Sequence, residues 1–424
     1  MVGIPRDGYQ GRTISLAVRN LSRVVLLAVC LATVIGLMTG AFLRILYWIT
    51  SLLWKTIPEA ITVLPNHPVY TILICTVGGI TLGLGRIHFG DYPGGVEELL
   101  AEIRGGGTVD HDEISKGAIN SLVSLSFGAS LGPELALMAI GGGMSSHALA
   151  RLKHARRTAW TGTIAGTSTS FQDLCFPATG GLNRPVKNGD VPLVPRWWKW
   201  LPGLAAIALG LTTLKVAAGN GLHFGYAVPE FRSTNPTWRL IAAALFGALG
   251  GFVSMMYLRF RHLLQAHQGE ENHLIRSTVG GLALGFAGAV APRLLFSGQE
   301  AIGTLFAGLP LTAEVLLVAG VAKIMLVSVM LETGWKGGPI FPLLAGGAAI
   351  GAALAHIVPG IGSVVGLTAM MAGVPAGELS RPLLIAGTVA LFYSSSLFIV
   401  AGIGAVAGTL VVRTAQNRGS PRHL

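Results

Sequence analysis

Charge is the scarcest property of this chain. Only 12% of its 424 residues are Asp, Glu, Lys or Arg, whereas 51% are hydrophobic. Soluble domains carry about 25% charged residues, so this composition argues against a soluble protein. The three cysteines, Cys30, Cys75 and Cys175, lie far apart in or beside apolar runs. Neither a disulfide framework nor a zinc site is therefore predicted.

Motifs of enzymes that work inside membranes are also missing. The chain has no paired aspartates, no serine elbow and no H-E-x-x-H sequence, so no enzyme is expected. The formal net charge is +11, but the basic residues gather at the edges of apolar runs, as in positive-inside anchoring. No nucleic-acid module accompanies them, and nucleic acid is not an expected partner.

Apolar segments make up most of the chain. There are about ten to twelve of them between Val24 and Val412. Several are shorter than the roughly 20 residues that span a bilayer. The segment 117–150 is interrupted at Gly132-Pro133, and 383–412 forms a long terminal run. Partial helices are tolerated in a membrane only where they line a protein-enclosed site, which predicts an all-α membrane protein with broken and tilted helices.

A repeat connects the two halves of the chain. The stretch Gly128–Gly141 reads GASLGPELALMAIG, and Gly334–Gly347 reads GWKGGPIFPLLAGG. Three glycines, a proline and a leucine match at one offset (334 − 128 = 206), close to half of the chain. Glycine-flanked breaks in corresponding places of two halves are typical of transporters with a shared site near the bilayer midplane.

Each break predicts a helix start that can bind an anion. Glycines let the backbone bend, and proline suits the start of a helix because it has no N–H to leave unpaired. Such a start exposes about four backbone N–H groups and a partial charge of roughly +0.5. Two of them facing inward would bind an anion weakly enough to release it. The alternative is that Gly132-Pro133 and Gly338-Pro339 merely kink ordinary helices.

Glu134 stands directly after the first of these prolines and is the only formally charged residue between Lys116 and Arg151. Its carboxylate would compete with an anion for the same amides. At about 4 Å and an effective dielectric constant near 20, the repulsion between the two is about 4 kcal/mol. Glu134 is thus predicted to act as a gate. The alternative is a first-turn acid that only stabilises its own helix.

These residues resemble the CLC family of chloride channels and chloride/proton exchangers. Gly132-Pro133-Glu134 followed by Ile140-Gly141-Gly142 resembles the G-[KR]-E-G-P motif with its downstream I-G-G, and 337–342 resembles G-x-F-x-P. The resemblance implies that Glu134 is the gating glutamate. It also implies that chloride is the ligand and that no cofactor is needed. The anion-binding residues that it implies are Gly132, Glu134, Leu135, Gly338, Ile340 and Phe341.

The chain departs from the family at the inner anion site. The G-S-G-x-P element should fall near 90–95, where there is no serine. Backbone amides at Gly94 and Gly95 are expected to replace it, with Asp91 solvated. The family's inner tyrosine aligns with Ser395, and Tyr393 lies two residues earlier. Either hydroxyl could donate to an anion, and Tyr393 could equally be a packing residue.

The family's exchangers use an inner glutamate for protons, and Asn183-Arg184 stands at the aligned place. Asp173 is a weak substitute. Passive conduction of chloride gated by Glu134 is therefore favoured over chloride/proton exchange, and fluoride or an organic anion is a more distant alternative. The predicted fold is that of a polytopic inverted-repeat CLC protein, a homodimer in the cell membrane. It would comprise a cytoplasmic segment 1–21, a transmembrane domain 22–412 in two halves (about 22–219 and 240–412), and a basic tail 413–424.

Overall fold

The structure is a computed structural model, and it describes residues 7–62, 67–92, 111–144, 201–219, 226, 228, 236–266, 272–308, 311–357 and 362–419. Regular structure in these residues is helical, which confirms the predicted all-α class. The α-helices are α1 (Asp7–Ser51), α2 (Ile57–Ala60), α3 (Pro68–Phe89), α4 (His111–Ser126), α5 (Glu134–Met144), α6 (Leu201–Ala218), α7 (Pro236–Ala266), α8 (His273–Val290), α9 (Gln299–Phe306), α10 (Ala313–Glu332), α11 (Ile340–Ile357), α12 (Ser363–Leu379), α13 (Pro382–Phe392) and α14 (Phe398–Gly419).

Seven stretches of the described chain are long and apolar enough to cross a membrane. Together with shorter apolar helices such as α5 and α13, they form a multi-pass membrane protein. The spanning stretches are Val29–Ala60, Pro68–Phe89, Thr237–Ala266, His273–Val290, Ala313–Glu332, Ile340–Ile357 and Ser395–Asn417.

Three helix boundaries differ from the sequence expectation. The run 383–412 is not continuous, because α13 ends at Phe392 and a 3-10 turn, Ser395–Leu397, precedes α14. Helix α14 also continues past Val412 to Gly419, where Arg413 donates to the carbonyl of Ser380. Helix α1 begins at Asp7, inside the segment expected to precede the membrane domain. Polar residues at helix ends are easily mistaken for the end of a helix, since they carry no apolar periodicity.

The chain divides into two compact units that do not follow the two sequence halves. The first takes in the described parts of Met1–Ile45, Val96–Ser115 and Leu137–Leu222. Within it, Gly36 and Gly40 of α1 lie directly against Gly210 and Ala217 of α6, so that a Cβ at either glycine would overlap α6. Small residues at such contacts let helix backbones approach closely in lipid.

The second unit takes in the described parts of Leu46–Gly95, Lys116–Ala136 and His223–Leu424. Helices α11 and α12 form its centre, where nearly every side chain is buried. Gly247 and Gly251 of α7 contact the backbone of Gly404 and Gly408 of α14. This unit contains both helix breaks that the repeat predicts.

Candidate anion site

The two breaks share one backbone geometry. Gly128 and Gly334 both adopt a left-handed conformation, with φ of +89° and +82°, which glycine reaches without strain. Each is the terminal glycine of a cap that returns N–H groups to the last helical carbonyls. The N–H donors and carbonyl acceptors are Phe127 to Val123, Gly128 to Leu125 and Ala129 to Ser124 in the first break, and Thr333 to Val329, Gly334 to Leu331 and Trp335 to Met330 in the second.

The paired glycines of the sequence repeat are also paired in space. Gly132 and Gly338 exchange two backbone hydrogen bonds, each 2.8 Å between nitrogen and oxygen. Helix α5 then begins at Glu134 and α11 at Ile340, in each case two residues beyond this bridge. The breaks are therefore not simple kinks, because each starts a new helix at the same point.

Glu134 lies across this bridge. Its side chain packs against both glycines, and a Cβ at Gly132 or Gly338 would overlap the carboxylate. Oε1 accepts a hydrogen bond from the N–H of Phe341 at 3.2 Å, and the N–H groups of Ile340 and of Glu134 itself also act on the carboxylate. Oε2 has no hydrogen-bond partner among the described residues, although Glu134 is only 8% exposed. The carboxylate at the start of α5 thus accepts a hydrogen bond from a backbone N–H at the start of α11.

The structure brings the other helix-start residues to the same place. Leu135, Ile340 and Phe341 are all buried. The ring of Phe341 meets that of Phe392 edge to face, with centroids 4.9 Å apart. Apolar side chains therefore surround the amides, and a dry setting strengthens the attraction between these amides and an anion.

The two hydroxyl candidates differ in their surroundings. Tyr393 is buried, its ring stacks on Tyr226, and its hydroxyl has no hydrogen-bond partner among the described residues. Ser395 is exposed in the 3-10 turn. Tyr393 is the better placed of the two to donate inside the protein. Gly94, Gly95, Asp173, Asn183 and Arg184 lie outside the described residues.

Asp91 is not simply solvated, as the sequence had suggested. Its Oδ1 lies 2.5 Å from Nε of Arg86 and 2.9 Å from Nζ of Lys336. Burial raises the pKa of Asp91, but the hydrogen bonds and charges of Arg86 and Lys336 outweigh burial and hold that pKa below its ordinary value. Sequence reasoning missed both cations. The signal was present, because Lys336 stands inside the second repeat motif and Arg86 near the end of an apolar segment.

A second buried polar cluster joins the ends of three helices. Arg261 of α7 lies 2.9 Å from Glu332 of α10 and 3.5 Å from Glu378 of α12. Tyr257 donates its hydroxyl to Glu378, and Arg276 donates to the backbone carbonyl of Glu332. The cluster holds two buried carboxylates in the same unit as Glu134.

Comparison with known proteins identifies relatives of this chain. The family described as voltage gated chloride channel matches residues 195–413, just over half of the chain. A protein of Escherichia fergusonii named "Putative ion-transport protein YfeO" is 27% identical over 371 residues, covering 83% of this chain and 85% of the relative. The protein of the same name from Escherichia coli strain SMS-3-5 is equally similar.

Solved structures share the fold at lower sequence identity. A CLC-type fluoride/proton antiporter superposes with a TM-score of 0.62 at 17% identity and covers 92% of this chain and 96% of its own. A slow cyanobacterial Cl−/H+ antiporter superposes with a TM-score of 0.66 at 14% identity and covers 92% and 94%. Both are likenesses of fold.

Proposed function

The chain belongs to the CLC family of voltage gated chloride channels, and on that premise we propose that it moves chloride, or a similar small anion, past the amides that Glu134 occupies. Anion transport is the general activity of this family. For this chain we propose the path of the anion, the group that gates it and the absence of coupling to protons.

The hydrogen bond between Glu134 Oε1 and the N–H of Phe341 carries the proposal. A carboxylate oxygen is a negatively charged acceptor, and it stands here in the place of a halide at a helix start. An anion can reach the amides of Ile340 and Phe341 only when this carboxylate leaves. No full positive charge of the described residues is bonded to Glu134, so the bound anion would be held weakly, as conduction requires.

We propose that protons are not moved in exchange. Support comes from the sequence, since Asn183 and Arg184 stand where the family's inner acid is expected. Chloride/proton exchange is the second candidate. Two fold relatives are described as antiporters, one of them for fluoride, and Glu332 and Glu378 are buried acids that could receive protons.

Assembly as a homodimer, with a separate path in each subunit, is part of the proposal and rests on the family resemblance. The test is the molecular mass of the protein in detergent by light scattering. A dimeric mass agrees with the proposal, and a monomeric mass at every detergent concentration contradicts it.

Purified protein in lipid vesicles separates the two transport candidates. A chloride gradient imposed at zero voltage should drive chloride but no uphill proton movement, with Glu134→Ala as the matched variant. Sustained proton uptake in the wild type that disappears in Glu134→Ala would establish exchange instead. Its loss in Glu332→Gln or Glu378→Gln would then identify the inner acid. Replacing chloride by fluoride or a carboxylate in the same assay identifies the anion.

A further inference from the structure

A cavity of about 480 Å³ lies between helices α9, α10 and α11 and the turn that follows α8. Its volume falls in the range of about 300 to 1,000 Å³ that is usual for ligand pockets. Three of the described residues that line it have polar side chains, and the others are apolar or glycine. The polar ones are Arg293, Thr304 and Lys323. The lining therefore suits a ligand that is mainly hydrocarbon.

Two of the three polar side chains are already bonded inside the protein. Nζ of Lys323 donates to three successive backbone carbonyls, those of residues 294–296. An ammonium has three N–H donors, so these bonds satisfy it. The hydroxyl of Thr304 donates to the carbonyl of Ala301 at 2.8 Å. A hydrocarbon chain can thus lie against both side chains without leaving a donor unpaired.

Arg293 is the third polar side chain, and it is exposed. It lies in the 3-10 turn Pro292–Leu294, directly after the spanning helix α8. Glu300 and Glu314 are also exposed, on α9 and α10, but they do not line the cavity. A guanidinium at the end of a spanning helix can bind the phosphate of a lipid head group through two parallel hydrogen bonds. The charge at the cavity therefore favours an anionic ligand.

The cavity opens on a surface that faces lipid. Val315 lines the cavity and is itself 49% exposed. Val318, one turn further along α10, is 68% exposed, and Val290 at the end of α8 is 88% exposed. Apolar side chains exposed on spanning helices contact lipid tails, which are as apolar as they are. A lipid chain can therefore enter the cavity sideways from the bilayer.

The turn beside the cavity is also bonded to the first helix break. The N–H of Phe296 donates to the carbonyl of Gly128 at 3.0 Å, while its own carbonyl accepts from Lys323. The ring of Phe296 meets that of Trp54 edge to face, with centroids 5.2 Å apart, and Nε1 of Trp54 donates to the carbonyl of Ser126. A ligand packed against the cavity wall therefore stabilises the turn that holds Gly128, the terminal glycine of the first break.

We propose that the cavity binds one acyl chain of an anionic phospholipid, with the lipid phosphate paired to Arg293, and that the bound lipid stabilises the arrangement in which Glu134 occupies the amides. A ligand favours the conformation that it binds. Here the cavity occurs together with the hydrogen bond between Glu134 and Phe341, so anionic lipid should slow chloride flux. The effect on flux rests on the proposed function, whereas the binding of lipid does not.

Native mass spectrometry of the full-length protein in detergent tests the binding. The probes are dioleoyl phosphatidylglycerol and dioleoyl phosphatidylcholine, which have the same chains and differ in the net charge of the head group. We expect the wild type to retain one phosphatidylglycerol per chain in preference to phosphatidylcholine. Arg293→Gln should weaken this retention about fivefold, the effect of one basic side chain near a membrane surface. Ala319→Phe places a ring inside the cavity and should abolish it.

Each variant has a matched control. Arg259→Gln removes an exposed positive charge from α7 that does not line the cavity. Val318→Phe adds the same ring as Ala319→Phe, one residue earlier on α10, at an exposed position outside the cavity. Both controls should retain phosphatidylglycerol as the wild type does.

Three results overturn the proposal. The first is equal retention of the two lipids by the wild type. The second is a phosphatidylglycerol that stays as tightly bound in Arg293→Gln, or in a folded Ala319→Phe protein, as in the wild type. The third is displacement of the lipid by free glycerol phosphate, which would mean that the site recognises phosphate without a chain. Arg293→Gln changes an exposed side chain and decides the matter if Ala319→Phe does not fold.

Chloride flux tests the effect of the lipid on the gate. Wild-type flux should be lower in vesicles that contain phosphatidylglycerol than in vesicles of phosphatidylcholine alone. In Ala319→Phe and in Glu134→Ala the two kinds of vesicle should give the same flux, because one variant has no room for the lipid and the other has no carboxylate to hold. Bound lipid with equal wild-type flux in both vesicles contradicts the effect on the gate. No chloride flux in any vesicle contradicts the proposed function but not the lipid site.

Discussion

The two helix breaks have the same backbone geometry but carry side chains of opposite charge. Their caps, their left-handed glycines and their starting points correspond at a constant offset. At equivalent positions, however, the first break carries Ser130 and Glu134 where the second carries Lys336 and Ile340. One break therefore contributes an acid and the other a base, on a scaffold that is otherwise repeated.

This difference explains how one site can be built from two copies. The start of α11 has no acid of its own, because Ile340 stands at the position equivalent to Glu134. Its amides are therefore available to the acid of the other break. Duplication supplies paired amides, and divergence of a single position decides which break provides the competitor and which provides the donors.

The largest effect should come from filling the bridge on either side. Gly132→Ala and Gly338→Ala each place a methyl group in the space that the Glu134 carboxylate occupies and that an anion would take after the carboxylate leaves, so both should lower chloride flux and halide affinity. Loss of a desolvated donor costs about 1 to 3 kcal/mol, roughly 5- to 150-fold in affinity. Calorimetry with bromide and flux from vesicles measure the two quantities. Similar losses in the two variants would show that the halves are equivalent at the bridge.

A double variant identifies the cause of that loss. If the methyl group excludes the anion itself, halide affinity should stay low when Glu134→Ala also removes the competing acid. Unchanged affinity in a folded Gly338→Ala protein would remove the second break from the site. An affinity that Glu134→Ala restores would mean instead that the methyl group acts through the acid.

The repeat is the part of the site that the sequence predicts best. Glycines, prolines and a constant offset describe local backbone geometry, and local geometry follows from the residues themselves. The direct bridge between Gly132 and Gly338 was not foreseen, because an offset pairs two positions in sequence without saying that they touch. The helix break within 383–412 was not foreseen either, since the stretch after Phe392 contains no proline or glycine and only the three serines 394–396 interrupt the apolar run.

Asp91 shows the limit of reasoning about single residues. An acid beside a glycine turn looks solvated when its partners are unknown, and Lys336 is 245 residues away in sequence. Only the folded chain brings the two together. For Tyr393 both sequence alternatives remain: its burial agrees with a packing residue, while its hydroxyl has no hydrogen-bond partner among the described residues and the predicted role in anion binding is still to be tested.

Removing the acid of the first break should change the response to pH rather than the fold. Glu134→Gln and Glu134→Ala eliminate the charge that competes for the amides, a repulsion of about 4 kcal/mol at 4 Å. Chloride flux from vesicles should then vary little between pH 4.5 and 7.5, whereas the wild type responds. Glu314→Gln serves as the control and should keep the wild-type profile. A wild-type profile in both Glu134 variants would mean that Glu134 is not the gate.

The smallest effect concerns the acid bonded to Lys336 in the second break. Arg86 and Lys336 hold the pKa of Asp91 below its ordinary value despite partial burial, and the ordinary value for Asp is about 3.9. A depressed pKa means that pairing stabilises the folded protein fully above the unfolded pKa, and that this contribution is lost as the pH falls through the folded pKa. The difference in melting temperature between wild type and Asp91→Asn should therefore be constant from pH 8 to about 5 and shrink below about pH 4.

Because Asp91 stays ionised across the range where flux is measured, Asp91→Asn should also leave the shape of the flux profile above pH 5 unchanged. A profile that flattens in Asp91→Asn as it does in Glu134→Gln would mean that the two acids titrate together, and that the separation between an amide-held and a cation-held carboxylate is wrong.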